Sequence, residues 1–180
     1  MPTAGDINIT PMLPDDWPSV QRIYAEGIAT GNATFETEVP DWETWDRNHR
    51  PECRLVVRSS DAVIAWAALS PVSARACYAG VAEHSIYVDE SFRGRGIGKL
   101  LLAAFVAESE AAGFWTLQSS IFPENLASIA VHLACGFRVV GRRKRVAMLN
   151  GVWRDTVIVE RRSAAVGMGQ RPGCASDAPC

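Results

Sequence analysis

The stretch best equipped for chemistry is Arg93-Gly94-Arg95-Gly96-Ile97-Gly98-Lys99, three glycines at alternate positions among three cations. Glycines placed between a strand and a helix leave backbone N–H groups uncovered, and the N-terminal end of a helix dipole favours negative charge. Such a loop is an anion site with a pyrophosphate as its natural occupant, and Arg93, Arg95 and Lys99 add full charges beside it. The same residues also read as a Gly-rich turn whose cations face water, because short glycine motifs are common. Two other phosphate motifs are excluded. A P-loop needs glycine at position 93 and Ser or Thr at position 100, where this chain has Arg93 and Leu100. A dinucleotide fingerprint starting at Gly94 needs Gly or Ala at position 99, where Lys99 stands. The pattern that remains is Arg-x-x-Gly-x-Gly.

The flanking sequence supplies the elements such a loop requires. Ala82 to Val88 has the β-branched and aromatic content of a strand. Ile97, Leu100, Leu101, Ala104 and Phe105 recur at helical spacing, and Gly113 ends that helix. Earlier, Asp6 to Thr10 alternates as a strand, and Pro14-Asp15-Asp16 opens a helix whose stripe is Val20, Ile23, Tyr24, Gly27 and Ile28. Thr34 to Thr37 is an extended piece, and Pro40 opens a short helix carrying Trp42 and Trp45. Arg54–Arg58 and Val63–Leu69 form a hairpin, followed by a loop, Ser73–Gly80, that contains Arg75 and Tyr78. After the long helix come a strand at Thr116–Ile121 and a helix at Asn125–Cys135 stopped by Gly136. A last hairpin pairs Phe137–Val146 with Trp153–Arg161 across Asn150-Gly151. This order describes an α/β fold, a mixed sheet with helices on both faces. It occupies residues 1–162 as one domain, and residues 163–180, rich in Gly, Pro and Ala, read as a disordered tail.

The 180 residues are enough for one well-filled core. A net charge of −2 gives no electrostatic reason to expect nucleic acid or an anionic membrane as partner. The one basic run, Arg142-Arg143-Lys144-Arg145, reads as a solvated strand edge. The N-terminus is interrupted by Asp6, Pro11, Pro14, Asp15 and Asp16, and no apolar run approaches the ~20 residues of a membrane helix. Cys53, Cys77 and Cys135 sit among apolar neighbours as reduced, buried thiols, and Cys174 and Cys180 have no metal-ligand spacing. The expectation is a cytoplasmic protein without a bound metal.

The glycine loop resembles the acyl-coenzyme A pyrophosphate loop of the GNAT N-acetyltransferase superfamily. The likeness extends to Asn125 through Phe137, which is similar to the second coenzyme segment of that superfamily: Asn opens the helix, an acid group follows seven residues later at His132, and Gly136-Phe137 closes it. Ala82–Val88, Arg75-x-x-Tyr78, Thr34-Phe35-Glu36 and Gly151-Val152-Trp153-Arg154-Asp155 resemble the phosphinothricin and methionine-sulfoximine acetyltransferases within it. Leu149 and Ala65 depart from that group, where Lys and Gly are usual. The resemblance implies acetyl-coenzyme A as cosubstrate, bound by Tyr87, Val88, Arg93, Gly94, Arg95, Gly96, Ile97, Gly98, Lys99, Asn125 and Ser128. It implies acetylation of the α-amine of a small amino-acid analogue, with Glu83 as base and His132 as acid or assisting group. Arg75 would hold the acceptor carboxylate, with Phe35, Glu36 and Tyr78 completing the acceptor site. A homodimer is also implied.

From the residues alone, each of these assignments has a plain structural counterpart. Glu83 is equally a solvated strand carboxylate, His132 an interior histidine and Asn125 a helix N-cap. His84 points to the opposite sheet face from Glu83 by strand alternation and stays outside the catalytic pair. Two alternatives share the coenzyme motifs: an acetyltransferase for protein N-termini or other small amines, and a non-catalytic acetyl-coenzyme A-binding module.

Overall fold

A computed structural model describes residues 7–169. Its strands are β1 (Ile7–Pro11), β2 (Leu55–Ser59), β3 (Ala62–Pro71), β4 (Val81–Val88), β5 (Thr116–Ile121), β6 (Arg138–Leu149) and β7 (Val152–Arg162). Its helices are α1 (Trp17–Ala29), α2 (Trp42–Asn48), α3 (Ile97–Ala111) and α4 (Leu126–Ala134). The seven strands form one sheet in the order β1-β2-β3-β4-β5-β7-β6. All neighbours are antiparallel except β4 and β5. The mixed α/β architecture expected from the sequence is the one observed.

That single parallel pair shapes the site. β4 and β5 pair only at Val81–Thr116, Ala82–Leu117 and Glu83–Gln118. Beyond Glu83, β4 continues to Val88 and β5 to Ile121 without pairing, so the sheet forks at its centre. Unpaired backbone donors and acceptors inside a sheet call for partners, and a forked parallel pair offers them to a ligand.

Helices cover both faces. Leu101, Leu102 and Phe105 of α3 pack with Leu55, Val57, Leu117 and Phe137 on one side. Val20, Ile23 and Tyr24 of α1 pack with Trp45 and Trp66 on the other. β3 supplies both cores, which explains its unbroken apolar run Val63–Leu69. Along β4, Ala82, Ile86 and Val88 belong to the α3 side and Tyr87 to the α1 side. Alternation therefore sends Glu83 and Ser85 toward α1 and His84 toward α3 and α4. α1 can approach β4 because residue 27 is glycine: a Cβ there would lie 2.6 Å from the Tyr87 ring.

Several boundaries differ from the sequence reading. α1 begins at Trp17, and Pro14–Asp16 is a separate 3-10 turn. Asp16 fixes it, accepting from the Leu13 N–H at 2.8 Å and pairing with Arg58 at 2.8 Å. Cys53 is buried as expected, but Cys77 is exposed in the β3–β4 loop and Cys135 only half-buried. The chain also stays with the fold past residue 162. Ser163 is buried, its N–H donates to Trp115 O at 2.8 Å, and the Arg162 guanidinium donates to Ser163 O and Val166 O. Of the segment expected as a tail, residues 163–169 are described, and residues 170–180, with Cys174 and Cys180, lie outside the described residues.

Candidate active site

The glycine loop is built to leave its N–H groups free. Gly94 and Gly96 have φ of +74° and +81°, the left-handed region where a side chain is strained, and nothing lies within 4 Å of where either Cβ would sit. Gly96 is the N-cap of α3, and no side chain caps that end. The first N–H groups of a fifteen-residue helix thus face open space. Gly98 lies close to Val88 and Val131, at ordinary contact distance for a Cβ, which brings the loop against β4 and α4. Arg93 donates from Nε to Val88 O at 3.1 Å, and the Arg95 guanidinium lies 5.1 Å from the Phe92 ring. Lys99 is exposed. Ile97 is buried and anchors the helix start.

The second coenzyme segment faces the same fork. Asn125 caps α4, its Oδ1 accepting from the Ser128 N–H at 3.1 Å. Its Nδ2 donates to Asn32 O at 3.2 Å, so the cap also holds the α1–α2 loop. Arg154, from the β6–β7 hairpin, secures that loop further by donating to Gly31 O and Asn32 Oδ1, each at 3.0 Å. Its guanidinium lies 4.1 Å from the Phe122 ring, against which Phe35 packs edge-on at 4.8 Å. Phe35 is thereby placed at the β5–α4 corner, while the charge of Glu36 is felt by Tyr24 and Tyr87. The sequence reading quoted Arg154 only as part of a motif; its clamping role depends on residues more than a hundred positions away.

Glu83 sits at the crotch of the fork. Its Oε2 accepts from Gln118 Nε2 at 3.2 Å across the last β4–β5 pair, and the carboxylate is half-buried on the α1 side. On that side Tyr87 stacks on Trp66 at 4.8 Å and meets Tyr24 at 4.9 Å. Burial raises the pKa of both phenols, and Glu36's charge adds to the effect, so both remain protonated donors at neutral pH. Trp42 is drawn away from this region into a tryptophan cluster with Trp17 and Trp45.

His132 does not stand free for proton transfer. Its ring is buried, Nδ1 lies 2.7 Å from Ser128 O, and Nε2 lies 2.9 Å from His84 Nε2. A carbonyl only accepts, so His132 carries its proton on Nδ1 and accepts at Nε2 from His84. On this assignment His84 donates from Nε2; its Nδ1 is buried without a partner at hydrogen-bond geometry, and the nearby Gln118 backbone favours the protonated ring without offsetting burial. The pair is neutral. Burial, with repulsion from His132, pushes His84 down to about 3, and burial lowers His132 too. The structure brings His132, the expected acid or assisting group, to His84, on the face opposite Glu83. Alternation placed His84 on that face, but its partner lies 48 residues away.

Arg75 and Tyr78 are brought together in the β3–β4 loop, the guanidinium 5.9 Å from the phenol ring. They line a pocket of about 220 Å³ whose wall also includes Val81 at the start of β4. Glu83 does not line it. The departures at Leu149 and Ala65 are buried positions, at the end of β6 and inside β3. Among the described residues, no group of His, Cys, Asp and Glu is arranged to hold a metal, and no helix is long and apolar enough to cross a membrane.

A forked mixed sheet with an uncapped glycine loop at its opening defines a scaffold for an anionic ligand. Residues 17–137 match the acetyltransferase (GNAT) family, and the chain belongs to it. It is 31% identical over 157 residues to the phosphinothricin N-acetyltransferase of Alcaligenes faecalis, covering 82% of this chain and 78% of the relative. It is 27% identical over 151 residues to the L-methionine sulfoximine/L-methionine sulfone acetyltransferase of Pseudomonas paraeruginosa, covering 81% and 88%. Among solved structures, a phosphinothricin acetyltransferase from Sinorhizobium meliloti in complex with acetyl-coenzyme A superposes with a TM-score of 0.80 at 29% identity, covering 94% of each chain.

Proposed function

We propose that the protein transfers the acetyl group of acetyl-coenzyme A to the α-amine of a small amino-acid analogue of the phosphinothricin, methionine sulfoximine or methionine sulfone type. The observation that carries this reading is Glu83 at the point where β4 and β5 part, facing the acceptor side while the glycine loop opens at the other end of β4. Acetyl-coenzyme A supplies the activated thioester. Gly94, Gly96 and the α3 N-terminus would hold its pyrophosphate by backbone N–H groups, with Arg93, Arg95 and Lys99 adding charge. Asn125, Ser128, Tyr87 and Val88 border the fork that receives the pantetheine arm.

An α-amine is mostly protonated at pH 7 and must lose a proton before it attacks. Glu83 accepts that proton; Gln118 holds Oε2 and leaves Oε1 for the amine or a bridging water. Arg75 takes the acceptor carboxylate, with Tyr78 beside it, while Phe35, packed on Phe122 past the far end of β5, borders the fork instead. The neutral His84–His132 pair locks α4 to β4 beneath the fork, so His132 supports the site rather than donating to sulfur. The relatives' named substrates support the choice of acceptor. A homodimer fits the exposed Val139, Val140, Met148 and Trp153 of the β6–β7 hairpin, the outer edge of the sheet. A panel of amines followed by release of free thiol tests the reading; it fails if no amino-acid analogue is acetylated.

A further inference from the structure

We propose that Arg50 reads a second anionic group on the acceptor, so that the pocket it shares with Arg75 selects amino acids bearing an acid at the end of the side chain. This rests on the amino-acid acetyltransferase reading above and deepens it. The pocket of about 220 Å³ is walled by Arg50, Ser73, Arg75, Tyr78, Val81 and Phe114. Each guanidinium lies against a ring of that wall, Arg50 at 5.6 Å from Phe114 and Arg75 at 5.9 Å from Tyr78. The two cations therefore border one small space.

Their own chain neutralises them only in part. Among the described residues Arg75 takes part in no ion pair. Arg50 has only Glu52, whose Oε2 is 3.7 Å from Nε, beyond hydrogen-bond reach. That Nε is shut off from solvent and has no hydrogen-bond partner. Arg50 is nonetheless well seated, since its N–H donates to Leu69 O at 2.7 Å at the end of β3. Two guanidiniums facing one cavity favour anionic occupants, and a planar fork matches a carboxylate or phosphinate.

The pocket adjoins Glu83 along β4. Val81 of the pocket wall lies two residues before Glu83 on the same face of β4, ~7 Å along the strand. With the amine at Glu83 and the α-carboxylate on Arg75, the side chain runs on toward Arg50. A phosphinate or carboxylate there gains a charge-assisted bond. A neutral sulfone gains only a dipole.

Binding of phosphinothricin and of methionine sulfone is measured at equilibrium on wild type, Arg50→Ala, Arg50→Lys and Glu52→Gln, with acetylation of both followed in parallel. Arg50 is partly exposed, so the variants should fold, and circular dichroism checks this. Arg50→Ala should weaken phosphinothricin about 10-fold, at the low end for a charge-assisted bond because the pocket is open to water, and methionine sulfone by no more than about twofold. Arg50→Lys should recover part of the loss, and Glu52→Gln should tighten phosphinothricin. Equal losses for both ligands, no loss, or no binding of phosphinothricin to wild type would overturn the proposal. Arg50-dependent binding without any acetylation would instead leave the pocket standing and remove the proposed enzymatic function. Acetylation of both acceptors with equal sensitivity to Arg50 would do the reverse.

Discussion

The buried histidine pair should make this fold acid-sensitive through an identifiable residue. His84 and His132 share one hydrogen bond, Nε2 to Nε2 at 2.9 Å, with His84 fully enclosed and its Nδ1 unpartnered. In the unfolded chain a histidine takes up its proton near pH 6.5. In the fold, burial holds His84 down to about 3. Between those values the unfolded state binds more protons than the native state, so stability falls as pH falls; above about pH 6.5 both forms are neutral and nothing is lost. At pH 5 the solution lies ~1.5 pH units below the ordinary histidine pKa, which corresponds to ~2 kcal/mol. The perturbation is His84→Gln, which cannot titrate but keeps an amide N–H to donate to His132. Urea unfolding at pH 7.5 and at pH 5 should show wild type losing ~2 kcal/mol more than the variant over that interval, at equal m-values. Acidic and basic surface groups affect both proteins alike, so the difference isolates His84. Parallel losses in the two proteins would refute the neutral-pair assignment.

Other expected outcomes follow from the candidate site. Gly96→Asp places a strained side chain and a negative charge at the open N-terminus of α3, and calorimetry should find acetyl-coenzyme A binding abolished in the folded variant. Glu83→Gln should lower kcat by ~10²-fold or more while coenzyme affinity holds, and it should shift the acidic limb of the pH–rate profile; a rate near wild type would return Glu83 to a strand carboxylate bonded to Gln118. Sedimentation at micromolar concentration should give a dimer, and Trp153→Arg on the exposed hairpin should shift it toward monomer.

Local signals carried most of the architecture. The glycines of the loop read as leaving backbone N–H groups uncovered, and Gly94 and Gly96 adopt positive φ at an uncapped helix end; Asn125 also reads as a helix N-cap, and the cap forms. The unbroken apolar run of β3 and the alternating run of β4 reflect burial on two faces and the division of side chains between two cores. What stayed illegible depends on contacts between distant residues. Strand alternation turns His84 away from Glu83, but only the packing of α4 on the sheet brings His132 to it and ties up both of its nitrogens. Arg50 and Arg75 are separated by two strands and meet only when Arg50 is hung on the end of β3. Ser163 begins a stretch with loop-like composition, yet it is held because Trp115 presents a carbonyl and Arg162 binds the next turn. The exposure of Cys77 likewise follows from the β3–β4 loop standing off the core, which its apolar neighbours in sequence do not reveal.

The central claim is acetyl transfer to a free amino-acid amine whose carboxylate is held by a cation. It is tested most directly by measuring kcat/KM for methionine sulfone, its amide and a short peptide in wild type and in Arg75→Ala. The account predicts that wild type prefers the free acid, and that Arg75→Ala raises the free acid's KM about 10- to 100-fold, the range of a charge-assisted bond, with little effect on the amide or on acetyl-coenzyme A. Equal efficiency on all three acceptors, unchanged by Arg75→Ala, would contradict it.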